Sequence, residues 1–91
     1  MTLSKNDQVL LEILLEIFKG EKGVINPNKF EIENSELKVI TDSIRKNHLV
    51  EGKFEVVESG VPNKITHIGI KHCELTRVGG KALDKLSELN G

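Results

Sequence analysis

The sequence predicts a mainly α, α+β domain: three helical segments, a two-stranded hairpin and a closing helix. Three observations carry that reading. First, eight of the ten residues from Val9 to Phe18 are apolar, broken only by Glu12 and Glu16, which is the pattern of a helix buried on most sides. Second, two capped helical stretches follow, Pro27 to about Glu31 and Asn34 to about His48, with Ile32-Glu33-Asn34 as the turn between them. Third, Val50, Phe54 and Val56 alternate with Glu51, Lys53 and Glu55, and a second alternating run from Ile65 to Lys71 follows the turn cluster Ser59-Gly60-Val61-Pro62-Asn63. The order helix-helix-helix-strand-strand-helix is that of a winged helix-turn-helix.

Each element has local signals. Ser4 or Asn6 can cap the first helix, Asp7 suits its first turn, and Gly20 is placed to end it after Lys19. Its apolar residues form two stripes: Leu10, Ile13, Leu14 and Ile17, and Leu11, Leu15 and Phe18. Two stripes need two partners, and a second copy of the chain is one candidate, which makes Leu11, Leu15 and Phe18 the expected homodimer interface. Glu21 to Gly23 is a charged turn, and Val24-Ile25 can make a short edge strand. Asn26 caps the next helix with Pro27 at its first position, where a missing N–H costs nothing. Asn34 or Ser35 caps the following one, whose buried stripe is Leu37, Ile40 and Ile44 with Thr41 beside them; Asn47 terminates it. In the return strand, Thr66, Ile68 and Ile70 are expected on one side and His67, Gly69 and Lys71 on the other. Thr76 caps the last helix, which turns Val78, Ala82, Leu83, Leu86 and Leu89 inward. Gly79 and Gly80 in its first turn each cost up to about 1 kcal/mol relative to alanine, which is consistent with close backbone approach.

The 91 residues make one domain, 1–91, with a modest core. At 37% hydrophobic and 30% charged the composition is globular, and the net charge of −1 gives no global attraction for nucleic acid. The absence of Trp and Tyr, with three Phe, argues against stacking of single-stranded bases. The single cysteine, Cys73, excludes an internal disulfide and is compatible with a reducing cytoplasm, the expected location. No run of apolar residues is long enough for a membrane span, and the N-terminal stretch lacks the pattern of a signal peptide.

Three stretches, LEILLEIFKG, IRKNHLVEG and ELTRVGGKAL, are similar to counterparts in a known group. Through them the chain resembles the YjcQ-like winged-helix proteins, small domains of bacteria and their prophages. In that family a glycine is usual where Asn47-His48 stands here. The resemblance implies the fold and, by analogy, a regulatory or DNA-associated role; it transfers no binding residue.

Candidate chemistry is sparse. With Leu37, Ile40 and Ile44 inward, Ser35, Val39, Asp42 and Lys46 face outward, flanked by Lys38, Ser43 and Arg45. In a DNA reader Lys38, Asp42, Arg45 and Lys46 would lie near base edges, and Lys53 and Lys64 on the hairpin would hold phosphates, with Lys29 and Lys71 as further candidates. Against this, Glu36 to His48 holds three basic and two acidic residues, and Asp42 sits in the middle of the outer face. The turn between two capped helices ahead of a wing makes double-stranded DNA the leading partner by fold analogy; the near-neutral charge and Asp42 favour the alternative, a winged helix used only for protein–protein contact or homodimerisation. His67, His72 and Cys73 lack the paired spacing of a zinc site. Cys73 has no base or orienting group assigned by sequence, and Thr76-Arg77 with Gly79-Gly80 lacks the lysine and spacing of a phosphate loop. No catalytic residue, metal, cofactor or small-molecule ligand is expected.

Overall fold

A computed structural model describes residues 3–20, 22–60 and 63–90. Three α-helices and a three-stranded antiparallel sheet form an α+β domain. The elements are α1 (Lys5–Lys19), β1 (Val24–Ile25), a 3-10 turn (Pro27–Phe30), α2 (Asn34–Lys46), β2 (Val50–Ser59), β3 (Lys64–Leu75) and α3 (Arg77–Asn90). The strand order is β1-β3-β2, so β3 is central.

This order corrects the expected run of three helices before two strands. A strand stands between the first two helical segments, and the second segment is a single 3-10 turn. Asn26 does cap that turn, its Oδ1 accepting from Asn28 N at 3.0 Å, with Pro27 at its start. Glu31 then takes a left-handed conformation (φ 53°) and ends it before an α-helix can establish itself.

α1 begins and ends as its residues indicate. Ser4 Oγ accepts from Asp7 N at 3.2 Å, and Gly20 closes the helix in the left-handed region (φ 64°) with its N–H on Glu16 O. Val9, Leu11, Ile13, Leu14 and Ile17 are buried, and the helix packs against α2, α3 and β3. Together with Phe30, Leu37, Ile40, Ile44, Ile65, Ile68, Ile70 and Leu83 they make one core. Fully burying each such side chain is worth roughly 1.5–3 kcal/mol. α3 turns Leu83 inward with Ala82 and Leu86 half-buried, but Val78 and Leu89 are exposed, contrary to the expected stripe.

The hairpin carries two irregularities that simple alternation does not anticipate. The register shifts by one residue between Lys53 and Glu55 and again between Val57 and Glu58, each time with the extra residue on β3. The second shift leaves Thr66 exposed and without a paired residue on β2, its Oγ1 donating to Val57 O at 3.2 Å, although strict alternation puts it beside Ile68. The first lets both Ile70 and Cys73 face the core from one strand. β3 runs four residues past the expected end at Lys71, to Leu75, paired with β2 as far as Val50.

At the base of the hairpin α2 hands over to β2 through a tight turn. Leu49 N donates to Ile44 O at 3.0 Å and His48 N to Arg45 O at 3.1 Å, the pattern of a helix end closed by a left-handed residue. That residue is His48 (φ 53°). Thr76 locks this turn to α3. Its Oγ1 donates to His48 O and accepts from Gly79 N, while its N–H donates to Leu49 O at 3.0 Å. A Cβ on Gly79 would overlap Leu49 O, whereas Gly80 faces open space. Close approach thus explains the first glycine of the pair and not the second.

Candidate nucleic-acid interface

α2 shows its outer face to solvent. Ser35, Val39, Asp42 and Lys46 are all exposed, Val39 at 65%. Leu37, Ile40, Thr41 and Ile44 are buried beneath them, and Thr41 satisfies its hydroxyl by donating to Lys38 O at 3.0 Å. The expected caps at Asn34 and Ser35 do not form; Glu33 stands at the N-cap position without a side-chain bond. Asn34 instead reaches across to the hairpin. Its Nδ2 donates to Asn63 O at 3.0 Å and its Oδ1 accepts from Ile65 N at 2.8 Å. One amide side chain thereby extends the edge of β3 as a backbone peptide would, and fixes the start of α2 to the start of that strand.

Two cations flanking the outer face are also committed to the hairpin. Lys38 Nζ lies 3.2 Å from Glu58 Oε1. Arg45 donates from Nη2 to Phe54 O at 3.1 Å, and its guanidinium sits 5.6 Å from the centre of the Phe54 ring. Lys38, Asp42 and Arg45 therefore do come together, with Thr41, Val56 and Glu58, around a shallow depression of about 200 Å³ between α2 and β2. Lys46 is exposed one helical turn beyond Asp42, and among the described residues no ion pair engages it.

The remaining cations do not join them. Lys53 precedes buried Phe54 and points to the other face of the sheet. There it pairs with Glu55 at 2.9 Å and borders a shallow hollow with Val24, His67, Gly69, Lys71 and His72. The hydrogen bond and charge of Lys53 hold the Glu55 carboxyl below its ordinary range, and Glu55 in turn raises the Lys53 ammonium. Lys64 stands at the start of β3 beside Glu31, Glu33 and Asn34. Lys29 lies over the Phe30 ring, 5.6 Å from its centre, and near Glu12 and Glu16 of α1. The six residues singled out by sequence thus fall into one group beside α2 and two separate positions.

The expected dimer stripe is likewise divided. Leu11 is buried in the protomer and Leu15 is half-buried against the core; of the three only Phe18, 70% exposed, is free of the core. Cys73 is buried on β3, and burial, with Glu74 nearby, pushes its thiol up. That favours an unreactive protonated sulfur. Among the described residues no cluster of His, Cys, Asp or Glu is arranged to hold a metal, and no helix is long and apolar enough to cross a membrane.

Comparison with protein-family models, with curated proteins and with solved structures returned no match.

Proposed function

We propose that this chain is a winged-helix domain of the YjcQ-like kind, acting without enzymatic activity as a cytoplasmic DNA-binding regulator. In this reading α2 is the recognition helix and the β2–β3 hairpin is the wing. The observation that supports it is the union of an exposed α2 face with a hairpin held beside it by Asn34, Lys38 and Arg45. Such a unit can enter a major groove as one rigid piece. Lys46 is the side chain best placed to meet DNA directly, and Lys38 and Arg45 line its approach. Lys64 at the hairpin start is a phosphate contact in the same reading, and Lys53 reaches phosphate only from the far side of the sheet.

Titration with random duplex DNA at two salt concentrations tests the proposal. A DNA binder loses affinity steeply as salt rises. Replacing Lys46 with Glu should abolish binding while the fold stays intact, and the milder Lys46→Ala should lower the salt slope by about one. Absence of any binding at low salt overturns the reading.

A second reading, a winged helix that contacts protein only, is favoured by two specific observations. Lys38 and Lys53 are already neutralised by Glu58 and Glu55. Val39, an exposed apolar residue, occupies the middle of the outer face with Asp42 beside it. An α2 face that binds protein would be insensitive to Lys46→Ala and sensitive to Val39→Glu.

A further inference from the structure

We infer that α2 selects a cytosine through Asp42, with Val39 on a thymine methyl group to one side and Lys46 on a guanine to the other, so that a duplex holding these bases within about four base pairs is the preferred target. The inference rests on the reading of α2 as a recognition helix and names the sequence that such a helix chooses. At 3.6 residues per turn, Ser35, Val39, Asp42 and Lys46 fall within about 60° of one another and form one line along α2. All four are exposed, Val39 at 65%. The neighbouring cations lie on the hairpin side of this line and are engaged there, Lys38 with Glu58 and Arg45 with the Phe54 carbonyl. Among the described residues no ion pair holds Asp42 or Lys46. Base edges brought up to this line therefore meet Val39, Asp42 and Lys46 first.

Each of the three has one complement in the major groove. A carboxylate only accepts, and the groups that donate there are the amines of cytosine and adenine. The adenine amine lies between two acceptors, its own N7 and the O4 of the paired thymine, and both oppose a carboxylate. The cytosine amine has an acceptor on one side only, the O6 of its guanine, so Asp42 selects cytosine. Lys46 only donates, and guanine offers it O6 and N7 together. Val39 does neither, and the one apolar group on offer is the thymine methyl. Ser35, at the far end of the line, both donates and accepts and adds no selectivity.

Spacing sets the length of the site. At a rise of 1.5 Å per residue, Val39 and Lys46 stand about 10 Å apart along α2, with Asp42 between them. For a helix lying along the groove that is about three base-pair steps of 3.4 Å, and hence about four base pairs. The arrangement also limits the repulsion between Asp42 and phosphate. Arg45 bonds a neutral carbonyl, so it keeps its positive charge, and it borders the same shallow depression as Asp42. A carboxylate in the middle of the groove-facing line meets base edges, whereas the phosphates lie along the two rims.

Selection of bound duplexes from a random library by the full chain, read by sequencing, tests the inference. Cytosine should be enriched at one position by about five-fold or more over the other bases. Asp42→Asn should move that position to adenine, because an amide pairs with N6 and N7 together, and leave the rest of the site unchanged. Asp42→Ala separates reading from repulsion. A carboxylate that only repels phosphate would, once removed, tighten binding to every duplex and keep their ranking; a carboxylate that reads a base takes the cytosine preference with it. Exchanging thymine for deoxyuridine in the selected site removes only the methyl group and should weaken the wild type about four-fold, whereas Val39→Ser should not respond. All the changes fall on exposed side chains, and circular dichroism checks the fold of each variant. Absence of binding to any duplex at low salt overturns the DNA reading and this inference with it. Salt-dependent binding without base preference, or a preference that both changes at Asp42 leave as it was, overturns this inference and leaves the DNA reading standing.

Discussion

The two ends of the hairpin are held by different physics. At its base, His48-Leu49 meets Thr76 and Gly79 through backbone carbonyls and a glycine with no room for a methyl group. At its far end and along its flank, the ties are side chains: the Asn34 amide, the Arg45 guanidinium and the Lys38–Glu58 pair. Backbone contacts of the first kind admit one geometry and tolerate almost no substitution. Side-chain ties of the second kind are partly solvated and individually modest. The base thus fixes where α3 and the hairpin meet, and the flank sets how the hairpin leans on α2.

The contrast is broken most directly at Gly79. Gly79→Ala drives a methyl group into Leu49 O, and separating α3 from the hairpin should cost about 3 kcal/mol or more. Gly80→Ala is the control: it meets open space and should stabilise by up to about 1 kcal/mol through helix propensity. Urea unfolding of the pair checks both signs. Equal effects at the two glycines would show that the base is not set by backbone contact.

Asn34 comes next. Asn34→Ala removes both bonds to the hairpin and leaves the part-buried Ile65 N–H without its acceptor, which should cost about 1–3 kcal/mol. Hydrogen exchange should quicken at Ile65 more than at Leu49, because the loss falls at one end only. Asn34→Asp keeps the acceptor and loses the donor, so Ile65 should stay protected.

How much of this was legible in the chain follows from the same division. Features set by one residue's local chemistry were readable: the Ser4 and Gly20 ends of α1, the Asn26 cap with Pro27 behind it, the Thr76 cap and the Leu37-Ile40-Ile44 stripe. Asn47 was readable as the end of α2, but that His48 after it takes the left-handed conformation was not. Asn34 was not, because an asparagine ahead of a helix looks the same whether it caps that helix or reaches 31 residues along the chain to Ile65. The bulges of β3 were hidden for a related reason: an extra residue shows in pairing and not in composition. The convergence of Lys38 and Arg45, and the separation of Lys53 from them, depend on which face of β2 each lysine occupies and on partners far along the chain.

A gain is expected at His48. His48→Gly relieves the left-handed strain of a side chain at φ 53° and keeps the carbonyl that Thr76 uses. Relief of strain should outweigh the added entropy of the unfolded chain, for a net of about 0.5–1 kcal/mol in stability. A rise in the urea midpoint without a change in slope would establish that the base carries local strain; a fall would mean that the imidazole contributes contacts of its own.

The smallest effects belong to the surface pairs. Lys38 and Glu58 are each more than a third exposed, so Lys38→Ala should change stability by less than about 0.5 kcal/mol. The Lys53–Glu55 pair tests the same point through pH. Glu55 is held below its ordinary range when folded, so its contribution is present above the unfolded carboxylate value and is lost as pH falls through the folded one. Lys53 is raised, so its share is present below the unfolded ammonium value and is lost as pH rises through the folded one. Lys53→Ala should therefore move the NMR titration of Glu55 back toward the ordinary carboxylate range while barely altering unfolding at neutral pH. A large loss of stability from either lysine would mean that charges on the hairpin, and not only the backbone at its base, hold it in place.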